Sequence, residues 1–173
     1  MIRKEGILRC IAIDPALTSG FAWRDDRGEL RVLELRITPG KGEYGKRYWE
    51  FLQCIVERLD HDEIGFPEKD DVYIVYEQSK FLRGVNATRN SFGFEAVLAY
   101  FCFDYGIPLI GVYGTELKKW AYGKGNATKE QMLEASKRFG YTGESFDIAD
   151  AVCLLAFAEE NCHAYFPQQG EGH

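Results

Sequence analysis

The segment spanning residues 7–23, ILRCIAIDPALTSGFAW, constrains the fold more than any other part of this chain. Its apolar run over residues 7–13 predicts a buried strand. Pro15 lacks an amide donor and ends that strand at Asp14. Gly20 then allows a turn before a second apolar run begins at Phe21, so the pattern predicts a hairpin with a carboxylate at its mouth. Asp is also a common turn residue, so this segment alone leaves a structural and a functional Asp14 equally open.

The remaining pattern predicts a single α/β domain over residues 1–173, a length that suits one sizeable core. Strands are predicted at 7–14, 20–25, 30–37, 72–76 and 108–113. Helices are predicted at 44–60, 91–105, 115–122, 128–138 and 146–161, with Ser91 and Thr128 as N-caps. Thr128 and Gln131 also fit a capping box. Residues 78–90 have no apolar periodicity and are predicted to form a loop, and the tail from about residue 167 is predicted to fray.

The charges are unevenly distributed along the chain. The formal net charge is -6, which argues against a polyanionic partner. Residues 78–90, however, contain three basic residues and no acid, and residues 114–138 contain six basic residues against three acids. Residues 139–173 contain no Lys or Arg. Such segments predict a polarised surface, although solvated basic faces without a ligand are common.

The cysteines and the apolar runs indicate the cellular compartment in which the protein is expected. The five cysteines are scattered without a CxxC pair, which favours a reducing compartment and argues against a zinc site. Charged residues or glycine interrupt every apolar run well before 18 residues, so no membrane span is predicted. The N-terminal apolar run is short and ends in Asp-Pro, so no signal peptide is predicted. We therefore expect a cytoplasmic protein.

The last predicted helix adds two acids to the one at residue 14. Asp147 and Asp150 are spaced i, i+3 and share one helix face in the first turn, where helix capping alone also explains them. Glu77 ends the fourth predicted strand, as Asp14 ends the first. If these ends meet at one sheet edge, four carboxylates would raise one another's pKa values unless cations lay between them. Oxygen ligands favour Mg²⁺, with Mn²⁺ as a substitute. Two such ions about 3.5–4 Å apart can promote phosphodiester hydrolysis.

These motifs together resemble the RuvC-type Holliday junction resolvases of the RNase H-like superfamily. The resemblance covers residues 7–158 and is carried by Asp14-Pro15 with Thr18-x-Gly20, by Val75-Tyr76-Glu77-Gln78, by Asp147-x-x-Asp150 and by the basic segment 117–132. It implies a five-stranded mixed sheet, three antiparallel strands first, flanked by helices. It also implies that Asp14, Glu77, Asp147 and Asp150 are the catalytic, metal-binding acids of an Mg²⁺-dependent homodimer. Such enzymes nick two opposed strands of a four-way junction.

Departures from the family pattern keep alternatives open. Ala16 replaces the glycine that often follows Asp-Pro, and Gly93-Phe94 stands where a Gly-Gln signature is usual. One alternative is a phage-type enzyme of the same fold that cleaves flaps and other branched DNA. Another is a non-catalytic junction-binding module, against which the presence of all four acids argues. Asp14-x-x-x-Thr18-x-Gly20 also resembles the phosphate loop of actin-like ATPases and sugar kinases, but these need two lobes and therefore a longer chain.

The two basic segments are the predicted path of the DNA. Backbone amides of a glycine loop and a helix N-terminus bind phosphate well, and lysines add attraction that is independent of sequence. An exposed aromatic residue near a cleavage site can stack on bases at a branch point, although Phe81 is equally expected to pack beneath its own loop. The predicted DNA contacts are Lys80, Phe81, Arg83, Arg89, Lys118, Lys119, Lys124 and Lys129. The predicted dimer interface is the apolar helix at 91–105.

Overall fold

The computed structural model describes residues 9–38, 40, 42–60, 72–78 and 85–162. The strands of this part of the chain are β1 (Arg9–Asp14), β2 (Thr18–Arg24), β3 (Leu30–Arg36), β4 (Val72–Gln78) and β5 (Leu109–Tyr113). The helices are α1 (Tyr44–Asp60), α2 (Val85–Tyr105), α3 (Gly114–Tyr122), α4 (Lys129–Lys137) and α5 (Phe146–Asn161). None of the helices described is long and apolar enough to cross a bilayer.

The strands form one mixed sheet in the order β3-β2-β1-β4-β5. β1, β2 and β3 pair antiparallel, whereas β4 runs parallel to both β1 and β5. This confirms the predicted five-stranded mixed sheet with three antiparallel strands first. Asp14 pairs with Gly20, and Ile13 pairs with Tyr76. The carboxyl ends of β1 and β4, with Asp14 and Glu77, therefore lie side by side.

Helices cover both faces of the sheet, and each face has its own core. Alternate residues of β1 point to opposite faces, as the two-residue repeat of a strand requires. Ile11 and Ile13 pack with Phe51 of α1 and Phe94 of α2. On the other face, β1 packs with α3, α4 and α5. Residues 149–158 of α5 are all buried, so this helix is the centre of its layer and its first turn is held firmly at the sheet edge.

Two sequence predictions are corrected by the structure. Residues 78–90 are not all loop, because Gln78 ends β4 and α2 already begins at Val85. Ser91 consequently lies inside α2 and does not cap it. The first turns of α2 carry no periodic apolar face, and their contact with α1 through Arg47 and Asn90, with core packing further along, stabilises the helix. The predictions for residues 79–84 and for the tail from about residue 167 lie outside the described residues.

The other predicted helix boundaries agree closely with the structure. Thr128 caps α4, because its side chain accepts a hydrogen bond from the Gln131 amide and the Gln131 side chain accepts one from the Thr128 amide. The predicted capping box is thus confirmed. Ser145 caps α5 by accepting a hydrogen bond from the amide of Ile148 at 3.3 Å. This cap fixes where α5 starts and therefore where its two acids lie.

Candidate metal centre

Close packing between α5 and β2 brings the acids of the helix to the end of β1. Gly20 pairs directly with Asp14 in the sheet. A side chain at residue 20 would place its Cβ 2.0 Å from the carbonyl oxygen of Asp147. Only glycine allows this approach, because no Cβ tolerates a backbone atom so near. Gly20, which the sequence suggested as a turn residue, thus allows the first turn of α5 to pack directly against β2.

Three of the four predicted acids form one group at the sheet edge. Asp14, Glu77 and Asp150 each offer a carboxylate oxygen, and these oxygens all lie within 4.8 Å of one another. Asp150 is the most buried, with 9% of its surface exposed. Its buried Oδ1 has no hydrogen-bond partner among the described residues. A buried oxygen left unpaired in this way is costly unless another group supplies positive charge.

The electrostatics of this group favour the binding of a cation. Burial, followed by the charge of Glu77, raises the pKa of Asp150 to about 7. Burial and the neighbouring charges of Glu77 and Asp150 also raise the pKa of Asp14 well above its usual range. Burial raises the pKa of Glu77, although the charges of Lys118 and Lys129 oppose that rise. Carboxylates grouped in this manner suit a hard divalent cation, whose charge would favour their ionised forms.

Asp147 lies beside this group but outside it. Its Oδ1 faces the Nζ of Lys129 at 3.7 Å. The same Nζ lies 5.8 Å from the ring centroid of Phe146. The charge of Asp147 nevertheless contributes to the raised pKa values of Asp14 and Asp150. The structure therefore brings Asp14, Glu77 and Asp150 together and pairs the fourth predicted acid with a lysine.

Glycine 114 is a part of the site that the sequence analysis missed. A Cβ at residue 114 would lie 2.2 Å from Oε1 of Glu77. The start of α3 therefore leaves just enough room for that carboxylate to lie among the other acids. The signal was present in the sequence, because Gly114 directly follows a predicted strand and precedes a predicted helix. Its partner Glu77 is 37 residues away, however, and only the parallel pairing of β4 with β5 brings them together.

The predicted DNA-binding lysines lie in different surroundings. Lys118 is half-buried, and its charge acts on Glu77 and Asp150. Lys119 is exposed and lines a surface pocket with Trp120 and Asn161. Lys124 is exposed in the loop after α3. Among the described lysines, Lys118 and Lys129 are thus the two whose charges act on the acids.

The predicted contacts of the earlier basic segment are only partly described. Arg89 lies exposed on α2, with its Cζ 5.4 Å from the ring centroid of Tyr44. Lys80, Phe81 and Arg83 lie outside the described residues. The segment that contains them joins β4 to α2, and Glu77 is at the end of β4. The chain order therefore attaches this segment directly to the acid group.

The sheet order, the flanking helices and the position of the acids define an RNase H-like fold. The same fold is found in RuvC of Thermus thermophilus. A structure of that RuvC in complex with Holliday junction substrate matches 87% of this chain and 93% of its own, at 18% identity and a TM-score of 0.66. Another T. thermophilus RuvC structure matches 88% and 95%, at 18% identity and a TM-score of 0.63. Searches with protein-family models and against curated protein sequences return no match.

Proposed function

We propose that this chain is a structure-selective endodeoxyribonuclease that cleaves phosphodiester bonds at DNA four-way junctions, with divalent metal ions as cofactors. The observation that carries the proposal is the group formed by Asp14, Glu77 and Asp150, whose oxygens lie within 4.8 Å of one another. The fold shared with a RuvC that has been seen with a Holliday junction substrate supports the choice of DNA. In this proposal the chain acts as a crossover junction endodeoxyribonuclease on branched DNA.

The acids would hold two Mg²⁺ ions per active site, with Mn²⁺ as a substitute. When bound, such ions supply the charge that activates water and stabilises the leaving oxygen. Asp14, Glu77 and Asp150 are the residues whose geometry fits this task, and the unpaired Oδ1 of Asp150 is the oxygen most in need of a cation. Asp147 is the fourth proposed ligand, and its carboxylate lies 3.7 Å from the Nζ of Lys129.

The lysines beside the acids have the proposed role of attracting the scissile strand. Lys118 and Lys129 lower the pKa values of Glu77 and Asp150. The same positive charges favour a phosphate diester placed against the acids, because lysine binds phosphate as a mobile point charge. Lys124 lies in the loop that follows α3, and Lys119 lies on α3 itself. We propose that they extend this contact along the backbone of the strand.

We further propose that two copies of the chain pair through α2. This helix exposes Tyr100 at 66% and Phe103 at 86% of their surfaces. Phe92 and Val85 are exposed on the same helix. Exposed aromatic groups of this size commonly mark an interaction surface. A homodimer would cover them and would present two acid groups to the two opposed strands of a junction.

A cleavage panel tests the proposed function. The chain is incubated with Mg²⁺ and, separately, with a four-way junction, a flap, a fork and a plain duplex. We expect cutting of the four-way junction, no cutting without metal, and little cutting of the duplex. Equal cutting of flaps and forks would favour the relaxed branched-DNA enzyme. Tight junction binding without any cutting in Mg²⁺ or Mn²⁺ would instead identify a non-catalytic binding module.

The cysteines support a reducing compartment for this activity. All five cysteines, of which four are buried, are free thiols. Burial raises the pKa of Cys102 and of Cys153 to about 12, so these thiols stay protonated and unreactive. We therefore propose the reducing cytoplasm as the location of the protein.

A further inference from the structure

A buried arginine that has no acid partner among the described residues lies in the first turn of α1. Arg47 is 9% exposed. Its Nη1 donates a hydrogen bond to Oδ1 of Asn90 at 2.8 Å, and its Nη2 donates one to the carbonyl of Gly40 at 3.3 Å. Its buried Nε has no partner within the described parts of the chain. Both hydrogen-bond acceptors are neutral, so no acid among the described residues neutralises the charge of the guanidinium.

A second arginine, Arg89, lies against the same aromatic ring as Arg47. The Cζ of Arg47 lies 4.7 Å from the ring centroid of Tyr44, and the Cζ of Arg89 lies 5.4 Å from the same centroid. Both guanidinium groups therefore lie against the same ring. Glu43, the acid that begins this turn, faces Lys46 at 3.9 Å rather than either arginine.

A buried guanidinium with no acid partner among the described residues, beside a second arginine on the same ring, indicates that an anion completes the cluster. A buried charge is expensive unless an opposite charge approaches it. Guanidinium groups suit phosphate in particular, because their N–H groups form a fork that matches two phosphate oxygens. Arg89 is exposed and can make that contact directly. Arg47 is held in place by Asn90 and Gly40, so it adds a fixed positive charge behind the contact.

The cluster lies at the same edge of the sheet as the acids but in the opposite helix layer. Thr18 pairs with Arg36, so β3 ends at the edge where Asp14 pairs with Gly20. α1 follows β3, and α2 follows β4, which ends just after Glu77. Lys118 and Lys129 belong to the layer of α3, α4 and α5. A DNA strand that crosses the acids would therefore leave Lys118 and Lys129 on one side and reach the arginine cluster on the other.

We propose that Arg89, with Arg47 and Tyr44 behind it, binds a backbone phosphate of the DNA on the α1–α2 side of the acids. This inference rests on the proposed function, since it takes the DNA to be the anion. Arg89 is the contacting residue. Arg47 is a positioning residue that acts through the shared ring of Tyr44 and through its own uncompensated charge.

The test measures how binding of a four-way junction and of a duplex depends on salt, in EDTA so that nothing is cut. We expect Arg89→Ala to weaken both complexes and to flatten the log–log slope by about 0.9, the value for one lost phosphate contact. Lys46→Ala is the matched control, because Lys46 is an exposed cation beside Arg47 that already faces Glu43 and Glu50. We expect its slope to equal that of the wild type.

A variant of Arg47 separates binding from a purely structural role. Arg47→Gln removes the charge and keeps a donor directed toward Asn90. We expect it to flatten the salt slope while the melting temperature stays the same or rises, since a buried unpaired charge is lost. A lower melting temperature with an unchanged slope would show that Arg47 only joins α1 to α2 and would overturn its part in the inference.

The outcomes distinguish this inference from the proposed function. If the wild type binds the junction and Arg89→Ala binds it with the same slope, the arginine site is wrong and the proposed function stands. If Lys46→Ala flattened the salt slope as much as Arg89→Ala, the site would also be overturned, because any cation on this surface would then contribute to DNA binding. If the wild type binds no DNA at any salt concentration, the proposed function fails and this inference fails with it.

Discussion

Asp150 combines burial, an unpaired oxygen and two acidic neighbours, so a single substitution there tests the metal centre. Asp150→Asn keeps the shape of the side chain and removes one charge. We expect Mg²⁺-dependent cleavage of the four-way junction to fall by at least about two orders of magnitude, comparable with the loss of one preorganised electrostatic group. Binding of the junction should persist. The metal-free protein should unfold at an equal or higher temperature, because repulsion with Asp14 and Glu77 is relieved.

Glu160→Gln provides the control for that experiment. Glu160 belongs to the same helix, α5, but is exposed near its far end. We expect this variant to cleave like the wild type. Cleavage by Asp150→Asn within a few-fold of the wild type would contradict the assignment of Asp150 as a metal ligand.

The raised pKa of Asp150 also predicts how stability depends on pH. Its pKa is about 7 in the folded chain against a usual 3.8, so folding favours its protonated form. That contribution is complete below about pH 4 and is lost as the pH rises toward 7. We expect the unfolding free energy of the metal-free protein to fall by on the order of 2 kcal/mol between about pH 5 and 8. Asp150→Asn should show a smaller fall over the same range.

Chemical denaturation in EDTA across this pH range measures the effect. Groups with lowered pKa values, such as Glu34, lose their contribution only at more acidic pH and therefore do not interfere. Added Mg²⁺ should raise the melting temperature more at pH 8 than at pH 5, because metal and proton compete for the same oxygens. An unfolding free energy that rises from pH 5 to 8 would contradict the proposed electrostatics of the acid group.

At the scale of the elements, two glycines determine where the acids lie. Gly20→Ala would force a Cβ against the backbone of Asp147, which cannot yield without moving α5. We expect it to lower the unfolding free energy by roughly 1–3 kcal/mol. Gly114→Ala meets only the flexible end of Glu77. We expect Gly114→Ala to have near-normal stability. Its metal affinity should fall about 10–100-fold, as for other substitutions of residues that do not bind the metal but orient a ligand.

Gly45→Ala is the control for both glycine variants. A Cβ at residue 45 meets nothing within 4 Å, and the residue lies within α1. We expect the substitution to raise stability by up to about 1 kcal/mol through helix propensity and to leave metal binding unchanged. Calorimetry of Mn²⁺ binding and thermal unfolding together check all three variants. A Gly114→Ala protein that binds Mn²⁺ like the wild type would contradict the role of this glycine.

Adjacent lysines on α3 allow a comparison within one helix. Lys118 is half-buried with its charge acting on the acids, whereas Lys119 lines a pocket with Trp120. We expect Lys118→Ala to flatten the salt slope of junction binding by about 0.9. Lys119→Ala should change it less, although the sequence predicted both as DNA contacts. Equal slopes for the two variants would show that the DNA does not follow the side of α3 nearest the acids.

Most elements were predictable because local patterns determine them. Alternating or continuous apolar runs defined β1 and β4, and a capping box placed α4 correctly. The start of α2 was not predictable, because its first turn lacks an apolar face and depends on contacts from α1. Arg47 shows the reason, since its hydrogen bond to Asn90 joins residues 43 positions apart. Likewise, the positions of four acids at the ends of elements predict the candidate ligands, but only three-dimensional packing pairs Asp147 with Lys129.

For the whole molecule, the charge distribution explains how an acidic chain can bind a polyanion. The net charge is -6, and the four predicted metal ligands carry part of it. Bound divalent ions would offset those acids and leave a weak overall field. Local basic groups must then provide the attraction: Lys118 and Lys129 from one helix layer, and the arginine cluster from the other. Phosphate contacts of this kind position DNA without selecting a sequence, so the proposed selectivity for branched DNA would have to come from the shape of the DNA.

The exposed face of α2 leads to the last prediction, which concerns the assembly. Phe103 and Tyr100 project from this helix at 86% and 66% exposure. Pairing of two such faces would remove both aromatic groups from water, and a stable interface requires about 800 Å² from each partner. We expect a homodimer at micromolar concentration. Phe103→Glu should give a folded monomer, because it would place two like charges within the interface.

Sedimentation velocity and circular dichroism check the dimer, with Tyr122→Ser as the control. Tyr122 is also an exposed aromatic residue but belongs to α3, so its loss should leave the dimer intact. Cleavage products add a functional measure, because the proposed dimer would cut both opposed strands of a junction in one encounter. The Phe103→Glu monomer should instead accumulate junctions nicked on one strand. A wild type that sediments as a monomer both with and without junction DNA would contradict pairing through α2.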